Sequence, residues 1–393
     1  MTEPRGPPAG GEAMTRAFPA RGALALVVAV IGAACSAGSG AGSTPTQDVT
    51  SEPAATSSPR ATTAAPGQTT TSLVFRDVNQ SVLQPRQGFW DSLFVDPGAV
   101  IYHGGLFYMF YNGIAAYPSQ AGVGFATSTD GVTWVRETDE PLFTGESLDY
   151  LQVSLFVSSG MVSDDGTWVL YFYTQGRDDV TRSGVIGMAT APEPRGPWTL
   201  SEHPVLDVGP EGSWDSFAVL NPSVVETADG YLMYYDGSRG DLNSERDRMI
   251  GLATSEDGAT WTKHDDPATT KPPYARSDPL LVAGRAGDWD ELRAYDPNIV
   301  RVGDRFEMSY MSYKPDGSRP VVNYQLGVAT SEDGVRWSKD ETDSPILESG
   351  ETGWQGIFLS SLIEVNGALY LYFDVQRGIQ GTTEVWLLSE TDP

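Results

Sequence analysis

The 393-residue sequence has a single cysteine, Cys35, so no intrachain disulfide is available to it. Its three histidines, His103, His203 and His264, lie scattered in turn-rich stretches. With one cysteine they make no set at zinc-ligand spacing, and no metal or cofactor is expected. A phosphate-cradling glycine loop and a supported Ser-His-Asp grouping are both missing. Basic residues are scarce: 25 Lys and Arg stand against 52 Asp and Glu, a formal net charge of −27. A surface this acidic repels polyanions, which excludes nucleic acid as a natural partner. Beyond residue 71 no apolar run approaches the ~20 residues of a membrane span, and no stretch has a convincing amphipathic helical period.

The N-terminal fifth is of a different kind. Arg16 and Arg21 precede an apolar stretch, Ala23 to Ala34, which is too short to cross a bilayer and suits a signal-peptide core. It ends Ile31-Gly32-Ala33-Ala34-Cys35, with small residues before the cysteine, and is similar to a bacterial lipobox with Gly32 where Leu is usual. Residues 1–35 are therefore expected to be a signal peptide, with Cys35 as the lipidation site. Residues 36–71 are almost entirely Ser, Thr, Ala, Gly and Pro, a composition unable to bury enough apolar surface to order itself. They read as a disordered tether. The expected location is the extracellular face of a bacterial cell membrane, lipid-anchored or secreted, with the membrane met only through that anchor.

From residue 72 the sequence repeats. One column is an aromatic-acidic pair running into a strand: Trp90-Asp91-Ser92 through Asp96-Pro97, Trp214-Asp215-Ser216 through Asn221-Pro222, and Trp289-Asp290-Glu291 through Asp296-Pro297. Weaker copies pass through Ser158 and Ser360, so equivalent positions fall at 96, 158, 221, 296 and 360. A second column, Ala126-Thr127-Ser128-Thr129-Asp130-Gly131 with Trp134, returns at Asp257-Gly258 with Trp261 and at Asp333-Gly334 with Trp337. Each Asp-Gly lies between short β-rich runs, a strong hairpin signal. Aromatic strands such as Leu106-Phe107-Tyr108-Met109-Phe110-Tyr111 lie between the columns. Five units of four strands each predict an all-β, five-bladed β-propeller over residues 72–393. The last unit, ending Glu384-Val385-Trp386-Leu387-Leu388, is one strand short. The segment Leu73 to Leu83 is expected to complete that blade and close the ring.

Blades reading Asp-Pro, then an aromatic strand, then Ala-Thr-Ser-x-Asp-Gly-x-x-Trp resemble the five-bladed propeller glycosidases. These are glycoside hydrolase families 43, 32, 62 and 68 and the related mannoside phosphorylases. The resemblance implies that each inner strand starts at a central cavity and that the first-blade aspartate, Asp96 here, is the general base. The family's third-blade aspartate, which tunes the acid, is matched by Asn221, a departure. Its fourth-blade glutamate acid is matched only by Ala294-Tyr295-Asp296-Pro297. Inverting hydrolysis needs two carboxyls about 6.5–9.5 Å apart, one protonated and one ionised. Asp296, at the position equivalent to Asp96, and Glu291, which breaks the Trp-Asp repeat, are the candidate acids. The other Trp-Asp carboxylates, and the Asp-Gly aspartates, read as blade packing and turn caps.

A second set of candidates comes from the Trp-Asp column, the cavity column and the hairpin ends nearest the cavity. They are Trp90, Asn112, Ser158, Gln175, Arg177, Asn221, Asp236, Arg239, Tyr313, Asp374 and Arg377. At the hairpin ends the chemistry varies from blade to blade, as a rim around one asymmetric ligand would; aromatic faces, amides, carboxylates and guanidinium groups suit sugar hydroxyls. Two functions remain open. One is a cell-surface, glycosidase-like enzyme, inverting and acting on a neutral oligosaccharide or glycoside. The alternative, favoured by Asn221 and Ser158 in the repeated column, is a non-catalytic glycan-binding lipoprotein. A monomer with carbohydrate as its partner fits both.

Overall fold

A computed structural model describes residues 76–116, 120–150, 153–175, 183–240, 247–315, 322–341, 344–349, 354–377 and 381–390. Cys35, the signal segment and the tether lie outside these residues.

The described elements are strands in five antiparallel sheets, one per blade of a β-propeller. The inner strands are Phe94–His103, Ser154–Val162, Ala218–Thr227, Tyr295–Val302 and Ser360–Val365. Each contacts the inner strand of the next blade around the ring, including blade 5 against blade 1. Serine hydroxyls stitch the ring together. Ser361 Oγ accepts from Val100 N at 3.2 Å, Ser159 Oγ from Val224 N at 3.0 Å, and Ser223 Oγ from Ile299 N at 3.0 Å. Beyond the column positions, the inner strands surround an axial cavity of about 500 Å³ lined by Ala99–His103 and its counterparts.

Blades pack face to face, and the second strands show why their sequences are apolar on both sides. In Leu106–Ile114 of blade 1, Phe107, Met109 and Tyr111 enter the core shared with blade 5. The alternating Tyr108 and Phe110 enter the core shared with blade 2. A strand buried on both faces thus reads as a continuous apolar run whose period of two assigns residues to opposite seams. Five such cores fill the five seams.

Closure follows the expected pattern. Arg76–Leu83 pairs antiparallel with Thr383–Ser389, from Arg76 opposite Ser389 to Leu83 opposite Val385. The fifth sheet therefore runs from the N-terminal strand through three C-terminal ones. Residues 73–75 of the expected closing segment lie outside the described residues.

Candidate active site

The inner strands of blades 1–4 carry a register shift at the column position: between Asp96 and Ala99, Val157 and Ser159, Leu220 and Ser223, and Tyr295 and Asn298. Such bulges re-aim side chains and recur beside active sites. In blades 3 and 4 the residue before proline takes the left-handed conformation, Asn221 at φ 48° and Asp296 at φ 51°. Asn and Asp tolerate this region best among non-glycine residues, yet still at a cost. In blade 1 the positive φ falls on Gly98 instead, where a Cβ would lie 2.0 Å from the Phe110 carbonyl oxygen.

Asp96 is fully buried. Its Oδ1 accepts from Gly98 N at 2.8 Å and from Asn112 Nδ2 at 2.7 Å, while Oδ2 is buried with no hydrogen-bond partner among the described residues. Burial pushes its carboxyl well above the ordinary range, and nearby Asp374 and Asp296 add to the rise; the Asn112 and Gly98 donors oppose it. Asn112 is fully used, because Nδ2 also donates to Val157 O at 2.8 Å and Oδ1 accepts from Val157 N at 2.8 Å. It fixes Asp96 and locks blade 1 to blade 2.

Blade 3 inverts this pair. Asn221 on the inner strand donates Nδ2 to Asp236 Oδ1 at 2.7 Å, across to the second strand. The carboxylate missing from the column thus reappears one strand outward. Asp236 Oδ1 also accepts from Asp296 N at 3.4 Å, and its Oδ2 forms a buried ion pair with Arg248, whose Nε lies at 2.9 Å. The Arg248 guanidinium lies 4.4 Å from the centre of the Tyr295 ring.

Asp296 is buried and accepts through Oδ2 from both Ser360 N at 2.9 Å and Ser360 Oγ at 3.0 Å. Burial raises its carboxyl well above the usual range, as does Asp236; the Ser360 donors and Arg248 pull the other way. Tyr173, stacked 5.5 Å from Phe156, sits among these groups, its hydroxyl pushed up first by burial and then by Asp96, Asp296 and Asp236. Asp374 is buried with Oδ1 bound by Phe358 N at 2.8 Å and Leu359 N at 2.9 Å, and burial pushes it up to about 7. Tyr313 receives a hydrogen bond from Arg293, whose guanidinium lies 4.1 Å from its ring centre.

The expected site residues therefore divide. Asp96, Asn112, Asn221, Asp236, Asp296 and Asp374 form one buried axial cluster, with Tyr313 linked to it through Arg293 and Tyr295. Ser158 is half-buried and donates to Pro222 O at 3.1 Å, tying blade 2 to blade 3. Glu291 lies apart: its Oε2 accepts from Gly287 N at 2.7 Å and caps its own loop. Trp90 stacks on Tyr111 over Gly113 and Gly122 and donates to Asp139 O at 3.0 Å, which makes it blade packing. Arg239 and Arg377 are more than half exposed and pair with Asp247 and Glu384. The Gln175 side chain and Arg177 lie outside the described residues.

Sequence reading missed Arg248, Arg293, Tyr295 and Tyr324 as members of the cluster; Tyr173 lies at a hairpin end that it placed nearest the cavity. Arg248 and Tyr324 stand near the start of third strands, directly opposite Ser238 and Tyr313 at second-strand ends. Carrying the hairpin register across one more strand would have found both.

Known proteins agree with this architecture. Residues 83–276 match the family model of the glycosyl hydrolases family 32 N-terminal domain. A beta-1,2-mannobiose phosphorylase of Thermoanaerobacter sp. (strain X514) is 26% identical over 147 residues, 35% of this chain and 43% of the relative; less than half of that relative is spanned. A glycosyl hydrolase from Bacteroides ovatus superposes with a TM-score of 0.59 at 18% identity, over 80% of this chain and 94% of that one. A member of the mannoside phosphorylase family that contains glycoside hydrolases targeting beta-1,2 mannosidic linkages in Candida mannan gives 0.60 at 16% identity, over 81% and 95%. The chain is a glycoside hydrolase- and phosphorylase-like propeller. Its fold is that of the five-bladed propeller glycosidases, and residues 83–276 carry the similarity to the family 32 N-terminal domain.

Proposed function

We propose that the protein cleaves a neutral oligosaccharide or glycoside at the propeller axis, with Asp96 and Asp296 as the working carboxyls. The supporting observation is that equivalent positions of two blades bring two aspartates into one buried cluster, where Asp296 adds to the rise of Asp96 and both act on Tyr173. Their environments differ in the way acid-base division requires. Asp96 has two further carboxyls nearby and neutral donors only, which favours retention of its proton. Asp296 is also raised, by burial and by Asp236, but both Ser360 donors and Arg248 oppose that rise, and Asp96 has no such cation. We therefore assign Asp96 as proton donor to the leaving oxygen and Asp296 as the group activating the incoming nucleophile. This reverses the roles that the family resemblance implies. Glu291 has no part in this assignment, since its carboxylate is engaged in its own loop.

The relatives make β-mannosides the first substrates to try and inorganic phosphate the first alternative to water as nucleophile. A lipid anchor at Cys35, display at the cell surface and a monomeric state belong to the same proposal, on the N-terminal sequence pattern. A non-catalytic glycan-binding role is the second reading. Three of five column positions, Ser158, Asn221 and Ser360, carry no carboxylate, and the Trp-Asp carboxylates are all engaged by cations within their blades. A glycoside and glycan panel, with and without phosphate, separates the two. Turnover that Asp96→Asn abolishes supports cleavage; binding that survives in Asp96→Asn without turnover in either protein supports the second reading.

A further inference from the structure

Two neighbouring serines open the inner strand of blade 5, and they serve different partners. Ser361 Oγ accepts from Val100 N at 3.2 Å and stitches the ring. Ser360 turns to a carboxyl instead. Its amide at 2.9 Å and its hydroxyl at 3.0 Å both donate to Oδ2 of Asp296, across the seam between blades 5 and 4. The column serine of blade 2, Ser158, donates to a backbone carbonyl, Pro222 O. The direction of the Ser360 hydroxyl is set by Asn298, whose Nδ2 donates to Ser360 Oγ at 2.9 Å. A hydroxyl has one proton, and with Asn298 already donating to its oxygen that proton is directed at Asp296. The same Nδ2 reaches the Asp296 carbonyl oxygen at 3.4 Å, so the nitrogen of the amide, and not its oxygen, faces Ser360. Asp296, Asn298 and Ser360 are all buried. The segment that carries Ser360 is itself anchored. The two preceding amides, Phe358 and Leu359, donate to Asp374 Oδ1 at 2.8 and 2.9 Å, and Asp374 N donates to Leu359 O at 3.1 Å. Three successive amides thus hold two carboxyls in place.

We propose that Ser360 and Asn298 are positioning residues for the glycosidic reaction: Asn298 aims the Ser360 hydroxyl, and Ser360 fixes the Asp296 carboxyl in the orientation from which it activates the nucleophile. This role rests on the reading of Asp296 as the nucleophile-activating group. Asp296 needs such a hold, because its backbone takes the left-handed region at φ 51° inside a register shift, where the regular strand does not aim its side chain. Both Ser360 donors converge on Oδ2, which leaves Oδ1 for the incoming nucleophile. Burial raises the Asp296 carboxyl; the Ser360 hydroxyl and amide oppose the rise, Asp236 adds to it and Arg248 opposes it. The other titratable groups around it are Asp96 of blade 1, Tyr173 of blade 2 and Tyr295 of its own strand. Loss of the hydroxyl therefore raises the pH at which Asp296 ionises.

Ser360→Ala tests this in the full chain, with Ser360→Thr, which keeps a hydroxyl, as the rescue and Ser361→Ala as the comparison. The infrared band of protonated carboxyl that Asp296→Asn deletes is expected to titrate about one pH unit higher in Ser360→Ala. The acid limb of kcat/KM should move alkaline with it, and kcat should fall about tenfold while KM changes little. Ser360→Thr should restore the band and the limb. Ser361→Ala should lower the melting temperature and move neither. An unmoved band and limb in Ser360→Ala, or an equal movement in Ser361→Ala, would overturn the positioning role and leave Ser360 another stitch of the ring. The band needs no substrate, so the two failures are distinguishable. A moved band in a protein that turns over no glycan sinks the cleavage reading, and an unmoved band with turnover intact sinks only the role of Ser360. Should Ser360→Ala not fold, Asn298→Leu removes the group that aims the hydroxyl and should shift the band in the same direction; an unchanged midpoint there overturns the relay.

Discussion

The aspartates of the Trp-Asp column and those of the axis are chemically identical residues put to opposite uses by their partners. Asp91, Asp215 and Asp290 each accept from a second-strand tyrosine hydroxyl, Tyr111, Tyr235 or Tyr310. Each also binds a cation from the outer part of the same blade, Arg136, Lys263 or Lys339. The carboxylate is neutralised in place and holds its blade together. Removing it strands a largely buried cation, a loss of about 3–5 kcal/mol in comparable sites. Asp215→Ala is accordingly expected to lower unfolding free energy by an amount of that order in urea titration, without altering the pH dependence of any glycan turnover. Axial Asp96 and Asp374 have no such cation among the described residues, and burial raises both carboxyls above the ordinary range instead. Sequence alone separates these two sets only partly. The Trp-Asp repeat recurs with its tyrosine twenty residues later and reads as scaffold for that reason. The exchange of Asp96-Asn112 for Asn221-Asp236 was hidden, because each residue appears as an isolated departure until the strands are paired.

At the scale of elements, the Asp-Gly turns are the most legible feature and the most local one. In each, the aspartate Oδ1 accepts from two following amides, as Asp130 does from Val132 and Thr133 at 2.8 and 2.7 Å. The glycine carbonyl then accepts from the turn's own tryptophan and from a tyrosine of the adjoining blade. Tyr372 reaches Gly131 O, Tyr171 reaches Gly258 O, and Tyr234 reaches Gly334 O, at 2.8–2.9 Å. The turn is thus an inter-blade rivet, far from the chemistry. Backbone donors, Thr133 first for Asp130 and Thr260 first for Asp257, lower both carboxyls to about 2. A depressed folded value stabilises above the unfolded value near 4 and is lost as pH falls through about 2. Replacing Asp130, Asp257 and Asp333 together by Asn is expected to flatten the acid arm of the stability profile between about pH 4 and 2. An acid arm as steep as wild type would contradict that. The bulges at the column were not legible, since a one-residue slip in an inner strand leaves no mark on composition.

For the whole molecule, closure is the decisive interaction. The pairing of Arg76–Leu83 with Thr383–Ser389 joins the two ends of the described chain, and Leu83 is buried in the core between blades 5 and 1. Without that strand, Thr383–Ser389 becomes an open edge of the kind that recruits other chains. A protein lacking residues 76–83 is expected to melt several degrees lower and to self-associate in light scattering; an unchanged melting point and mass would show that the ring closes by other means. Closure was readable because the fifth repeat visibly lacks its outer strand. The axial cluster was less so, because it assembles from five blades whose contributions meet only once the ring has formed.

The central claim is that this closed ring brings Asp96 and Asp296 together to cleave glycosides. Its most direct test is kcat/KM on the best substrate of the panel for wild type, Asp96→Asn, Asp296→Asn and the double variant. Groups serving one reaction as acid and base are expected to lose roughly 100- to 10,000-fold each, with the double variant little worse than the single ones. Equal turnover by wild type and Asp96→Asn would contradict the account.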